Sequence, residues 1–134
     1  MNKLTPIFVV ERIEPCLSLG VDRLGFEKKV EVSAGDSVGF VILARGNVEI
    51  MYQSRESVLE DAPAVLEGRP ALLSPNGTYI EVSDIGDVER RLADWEIVLP
   101  KRTTFYGMTE IGVREPAGNF ILFAQPAPAG TPGS

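Results

Sequence analysis

Arg114-Glu115-Pro116-Ala117-Gly118-Asn119-Phe120-Ile121-Leu122-Phe123-Ala124-Gln125 decides the fold, because it joins a turn that no strand can run through to a strand that nothing interrupts. Pro116 lacks a backbone donor, and Gly118 and Asn119 tolerate positive φ, so the tetrad is a tight connection. The run from Phe120 to Ala124 is short, aromatic-rich and free of breakers, which predicts a buried strand. Earlier in the chain stands a fainter copy. Gly46-Asn47-Val48-Glu49-Ile50-Met51-Tyr52-Gln53 parallels Gly118-Asn119-Phe120-Ile121-Leu122-Phe123-Ala124-Gln125, with Gly, Asn and Gln in register. A turn-plus-strand unit that recurs halfway along a small chain predicts two similar modules.

The rest of the chain supplies the same parts twice. Residues 4–10 are apolar and β-branched, with Pro6 near the start, and predict a strand. Ile13, Leu17, Val21 and Leu24 then fall on one face of an amphipathic helix, with Pro15 in its first turn and Gly25 at its end. Gly20 in mid-helix costs about 1 kcal/mol relative to Ala, and nothing nearby in the sequence offsets it. Segments 26–33, 38–44 and 48–53 read as three strands, joined at Ala34-Gly35-Asp36 and Arg45-Gly46-Asn47. A charged stretch with Pro63, Gly68 and Pro70 follows, helical over 56–66 and otherwise a linker. A strand at 78–83, a helix at 87–95 with Val88, Leu92 and Trp95 on one face, and strands at 96–99, 105–114 and 120–125 complete a second βαβββ. The expected organisation is module one at about 4–53, a linker at about 54–75 and module two at about 76–126, together one domain over 1–126; the Pro-, Gly- and Ala-rich 127–134 is a disordered tail.

Composition narrows the function classes. At 134 residues there is room for one compact domain or two half-size repeats. No apolar run approaches the roughly 18 residues of a membrane span, and the N-terminus lacks a signal peptide's apolar core. The single cysteine, Cys16, cannot make an internal disulfide, so a reducing cytoplasm is the expected compartment. A net charge of −6 argues against a nucleic-acid partner, which needs a clustered basic surface, and is compatible with a cationic ligand. The chain has no histidine, which removes Ser-His and Cys-His nucleophile pairs and the commonest transition-metal ligand. Any acid–base chemistry falls to a carboxylate, Tyr, Lys or Cys16.

Two further motifs carry a resemblance. Val21-Asp22-Arg23-Leu24-Gly25-Phe26 after the first helix, and Tyr106-Gly107 followed by Val113-Arg114-Glu115-Pro116-Ala117-Gly118-Asn119, resemble the bleomycin-resistance branch of the vicinal oxygen chelate superfamily, which also holds glyoxalase I and extradiol dioxygenases. The resemblance covers about 4–126. It implies an α+β fold of two βαβββ modules forming a curved, cup-shaped mixed sheet, and a homodimer. Metal-dependent members of that superfamily carry one ligand on the first and fourth strand of each module. By similarity those positions fall on Thr5, Glu49, Thr78 and Leu122, and only Glu49 is a usual metal ligand. The resemblance therefore implies no metal and no cofactor here. The Gly-Asn repeat instead pairs Glu49 with Ile121, one residue away from Leu122, and such a slip exchanges strand faces.

The expected ligand-binding residues are Phe40, Glu49, Met51, Tyr106 and Leu122, with no catalytic residue assigned. Glu49 is either a half-buried carboxylate facing a cationic group or a solvated residue on the convex face. Phe40, Met51 and Leu122 suit a cup lining and a plain core equally. Tyr106 and Trp95 are large aromatics near strand ends, and Cys16 is a small inert hydrophobe. The expected function is a metal-independent protein that sequesters an amphipathic small molecule, cationic ligands included. A lyase, isomerase or dioxygenase of the same superfamily with an altered site is the alternative, and a scaffold role has no positive support.

Overall fold

The computed structural model describes residues 2–68, 76–130, 132 and 133. The chain divides into two units, Met1–Ser74 and Pro75–Ser134, each built on one open four-stranded mixed sheet. In the first unit β1 (Ile7–Val10), β2 (Glu27–Ala34), β3 (Ser37–Arg45) and β4 (Val48–Ser54) lie in the order β1-β4-β3-β2. In the second, β5 (Gly77–Glu81), β6 (Ile97–Thr103), β7 (Met108–Arg114) and β8 (Phe120–Pro126) lie in the order β5-β8-β7-β6. The opening strand of each unit pairs parallel with the last, and the other pairings are antiparallel. Strand, helical segment and three strands occur twice, as expected for an α+β fold of duplicated βαβββ units. Residues 69–75 of the expected linker, and 131 and 134 of the expected tail, lie outside the described residues.

Each sheet has one core face and one open face, set by the two-residue period of a strand. In the first unit Val41, Leu43, Ile50 and Tyr52 are buried with Ile13, Cys16, Leu19 and Val58 from the helical segments. In the second, Ile80, Ile111, Val113, Ile121 and Phe123 are buried with Ile85, Val88 and Leu92 of the helix. At roughly 1.5–3 kcal/mol for each fully buried large aliphatic or aromatic side chain, these two apolar layers are the main force holding each sheet to its helices.

The first helical segment differs from the expected amphipathic α-helix. Glu14–Cys16 is a 3-10 turn and Ser18–Arg23 a π turn. Ile13, Cys16 and Leu19 are buried at three-residue spacing and Leu24 five residues later, whereas Leu17 and Val21, expected on the apolar face, are half-buried. A tight turn followed by a wide one accounts for that spacing. Gly20 also finds its reason: a Cβ there would stand 3.0 Å from Leu43 Cδ1, so the missing side chain lets the π turn approach the sheet.

Three other boundaries move for identifiable causes. α1 spans Arg55–Asp61, capped by Ser54 Oγ accepting from Ser57 N, and Pro63 opens a separate 3-10 turn rather than extending the helix. α2 spans Ile85–Arg91 with Asp84 as its cap, earlier than 87–95, and Trp95 falls outside it, donating from Nε1 to Arg114 O at 3.1 Å. β7 starts at Met108 rather than 105, because Gly107 takes φ 81° and its N–H donates to Thr104 O, turning Phe105 and Tyr106 off the strand.

Candidate functional site

The open face of the first sheet is read directly from its pairing. Ile42 stands opposite Met51, Phe40 opposite Gln53 and Ala44 opposite Glu49, so Phe40, Ile42, Glu49 and Met51 share one face. β1 adds Ile7 beside Met51, and β2 adds Val30 beside Ile42 and Val32 beside Phe40. Phe40, Ile42 and Met51 are half-buried, and Ile7, Val30 and Val32 are exposed. This is an apolar surface carrying one carboxylate. Glu49 lies on that open face, and its Oε2 accepts from Lys3 Nζ at 2.9 Å, with a quarter of the Glu49 side chain and more than half of the Lys3 side chain in solvent.

The open face of the second sheet is built differently. Phe120, Leu122 and Ala124 of β8 alternate onto it, Gly112 faces Leu122, and Glu110 faces Ala124. Ile121 points the other way, into the core. Glu49 and Leu122 thus both stand on open faces, which favours turn-length variation over a change of facing between the two copies. Gly112 has no room for a side chain, since its Cβ would meet Phe120 Cζ at 2.7 Å. Glu110 is the centre of this face. Its residue is 0% exposed, and its carboxylate accepts from Tyr106 Oη at 2.7 Å, Tyr79 Oη at 2.9 Å and Arg102 Nη2 at 3.3 Å. Both hydroxyls reach Oε2, and Arg102 reaches Oε1.

Each member of this group arrives on its own element. Tyr79 stands beside Leu122 on β5, and Arg102 stands opposite Glu110 on β6. Tyr106 comes from the β6–β7 turn, in edge-on contact with Phe105 at 5.0 Å between ring centres. Tyr79 and Tyr106, which donate to the carboxylate, remain 51% and 54% exposed. Burial by itself would raise the Glu110 pKa; the hydroxyls of Tyr106 and Tyr79 and the guanidinium of Arg102 outweigh it and hold the carboxyl below the usual range. Tyr79 is pushed up to about 12, first by the desolvation of its hydroxyl and then by its bond to the Glu110 anion. The same anion raises Tyr106.

Of the residues singled out in the sequence, Phe40, Glu49 and Met51 share the first open face, Leu122 lies on the second, and Tyr106 overhangs Glu110. Glu110, Tyr79 and Arg102 escaped notice. The available signal was a lone carboxylate inside the apolar strand 108–113, the same signal that drew attention to Glu49. The Arg114–Asn119 motif serves the fold: Asn119 N donates to Glu115 Oε1 at 2.6 Å, Gly118 N to Glu115 O at 2.8 Å, and Asn76 N to Asn119 Oδ1 at 3.3 Å, with Glu115 and Asn119 both buried. Cys16 is buried with Sγ 3.5 Å from Arg12 O. A hollow of about 570 Å³ bounded by Arg55, Leu59, Pro63 and Gly68 is lined by none of the candidate residues.

The positions that the resemblance implies for a metal do not fit a divalent ion. Thr5 extends the register beside Glu49, but Thr78 stands opposite Ile121 on the core face, which corrects the expected set. The β5 residue beside Leu122 is Tyr79. In the first unit Thr5 and Glu49 offer a single carboxylate, already paired with Lys3, and in the second Tyr79 and Leu122 offer a phenol and an alkyl group. The donor set is unsuited to a catalytic metal. Among the described residues no three His, Cys, Asp or Glu side chains cluster as metal ligands.

Two duplicated four-stranded units with this strand order make a glyoxalase/bleomycin-resistance fold, and solved structures agree. TioX from Micromonospora sp. ML1 superposes with a TM-score of 0.71 at 17% identity, covering 93% of this chain and 98% of that one. A bleomycin-binding protein from Streptomyces verticillus, solved with copper(II)-bleomycin, gives 0.57 at 23% over 96% and 97%. Lactoylglutathione lyase from Agrobacterium tumefaciens gives 0.66 at 13% over 93% and 94%. The chain therefore has the fold of the vicinal oxygen chelate superfamily. No protein-family model matches the sequence, and no curated protein matches it. Among the described residues, no helix is long and apolar enough to cross a membrane.

Proposed function

We propose that this protein binds an amphipathic small molecule without a metal, through the open faces of its sheets. Phe40, Glu49 and Met51 make the ligand contacts on the first face, and Tyr106 and Leu122 make them on the second. The observation that supports this most is the first open face: an apolar surface of Phe40, Ile42 and Met51 left half-buried around one carboxylate, a composition suited to an apolar body with a cationic group. The ill-suited donor set at the metal positions favours binding over metal-assisted chemistry. That bleomycin-binding proteins share the fold is consistent with such a role. The protein acts as a homodimer in this reading, which sedimentation velocity would show directly.

A thermal-shift screen of the full chain tests the proposal, using bleomycin, planar cationic antibiotics, neutral antibiotics and divalent metals. A ligand at about 100 times its dissociation constant adds about 2.7 kcal/mol of stability, a clear shift. Stabilisation by an antibiotic, reduced in Glu49→Gln, is the expected result. If no antibiotic shifts the transition and calorimetry detects no heat, the binding role is wrong. Stabilisation by Ni²⁺, Zn²⁺ or Mn²⁺ that disappears in Glu49→Ala points instead to a lyase, isomerase or dioxygenase.

A further inference from the structure

We propose that Glu110 fixes the polarity of the second open face, making Tyr79 and Tyr106 hydrogen-bond acceptors and so selecting ligands that present an N–H donor such as an ammonium, guanidinium or amide group. The inference rests on that face being ligand-facing, and it names the chemistry of what binds there. A phenol has one proton to give. Tyr79 and Tyr106 both give theirs to Glu110 Oε2, at 2.9 and 2.7 Å, and a buried ionised carboxylate has nothing to give back. What the two phenolic oxygens can still offer is lone pairs, on rings that remain half exposed.

The surroundings favour the same ligands. A carboxylate or phosphate arriving over these rings would meet phenolic lone pairs above a buried anion, and Arg102, the nearby cation, already engages Oε1. An ammonium or guanidinium would meet acceptors, with the faces of Tyr79, Tyr106 and the 87%-exposed Phe105 available for cation–π contact. Glu110 is a positioning residue in this scheme. It acts through the two tyrosines.

The split between the two carboxylate oxygens supplies the test. In Glu110→Gln, Arg102 has only donors and retains the side-chain oxygen, so the amide nitrogen turns toward the tyrosines. That nitrogen donates to both phenols, their protons swing outward, and the same face becomes a donor surface. Benzylamine, which brings an ammonium, and acetophenone, an uncharged carbonyl acceptor, are titrated into isotope-labelled full-length protein and followed by NMR at 79, 106 and 110. Wild type should prefer benzylamine by about tenfold, and Glu110→Gln should reverse the order toward acetophenone. Tyr79→Phe should weaken benzylamine in the wild type and cancel the acetophenone gain in the Gln background, which separates phenol donation from direct donation by Arg102.

An unreversed preference in a folded Glu110→Gln protein would overturn the inference, and so would a wild type that favours acetophenone. If probes bind but shift only residues on the first sheet, the inference falls while the wider binding role stands. If neither these probes nor any antibiotic binds either sheet, both fall.

Discussion

On the first sheet Met51 faces Ile42, and beyond it lies Val30; on the second Ala124 faces Glu110, and beyond it lies Arg102. These are matching places in the same strand order, and one is apolar throughout while the other holds a buried anion. The adjoining core-face pair does not diverge in this way: Leu43 opposite Ile50 and Ile111 opposite Phe123 stand in matching places, and all four are buried and apolar. Packing against helices constrains one side of each sheet and leaves the other free to change chemistry. The carboxylates differ too. Glu49 shares a solvated bridge with Lys3, the sort of pair that contributes little, whereas Glu110 is shielded from water and satisfied by three charge-assisted donors.

Making the second face resemble the first is the harshest way to probe that contrast. Glu110→Ile strips three donors of their acceptor and should cost about 2–3 kcal/mol by urea denaturation; a loss below about 0.5 kcal/mol would mean the network is incidental. Next comes pH. Glu110 has a folded pKa below its unfolded value, so its contribution is present above about pH 4.5 and fades as pH falls through the folded value. Tyr79 runs the other way: its contribution is present below about pH 10 and is lost as pH rises through about 12. Glu110→Gln should flatten both limbs, and ultraviolet tyrosinate titration should show Tyr79 moving back toward 10. Some acid sensitivity should survive in the first unit, where Val38 N donates to Glu14 and lowers its pKa.

Smaller effects sharpen the picture. Thr78 turns its hydroxyl into the second core with no hydrogen-bond partner, so Thr78→Val should raise stability by about 1 kcal/mol. Glu49→Gln should change stability by less than about 0.5 kcal/mol, since its bridge is solvated. A large stability loss there would erase the distinction between the two carboxylates.

The duplicated Gly-Asn turns and the short apolar runs between turn residues made the two βαβββ units legible in the sequence, whereas the grouping of Phe40, Ile42, Glu49 and Met51 on one face comes from the strand register. Helix detail was less so. The buried spacing of Ile13, Cys16, Leu19 and Leu24 follows no single helical period, because a 3-10 turn passes into a π turn. Gly20 looked costly until Leu43 came close to it from a strand far along the chain. The Glu110 group was hidden for a related reason. Tyr79 lies 31 residues away in sequence, and only the placing of β8 between β5 and β7 brings the two side chains within reach.

The Glu115–Asn119 turn bears on the order in which the second sheet assembles. Its closing bond spans four residues, so the β7–β8 hairpin can zip up quickly from its own end. The bond from Asn76 N to Asn119 Oδ1 spans 43 and must wait for a much longer loop to close. One asparagine therefore serves two moments of the same reaction, its backbone the early one and its side chain the late one. Weakening Glu115 should slow folding, whereas trimming the Asn119 side chain should mainly hasten unfolding.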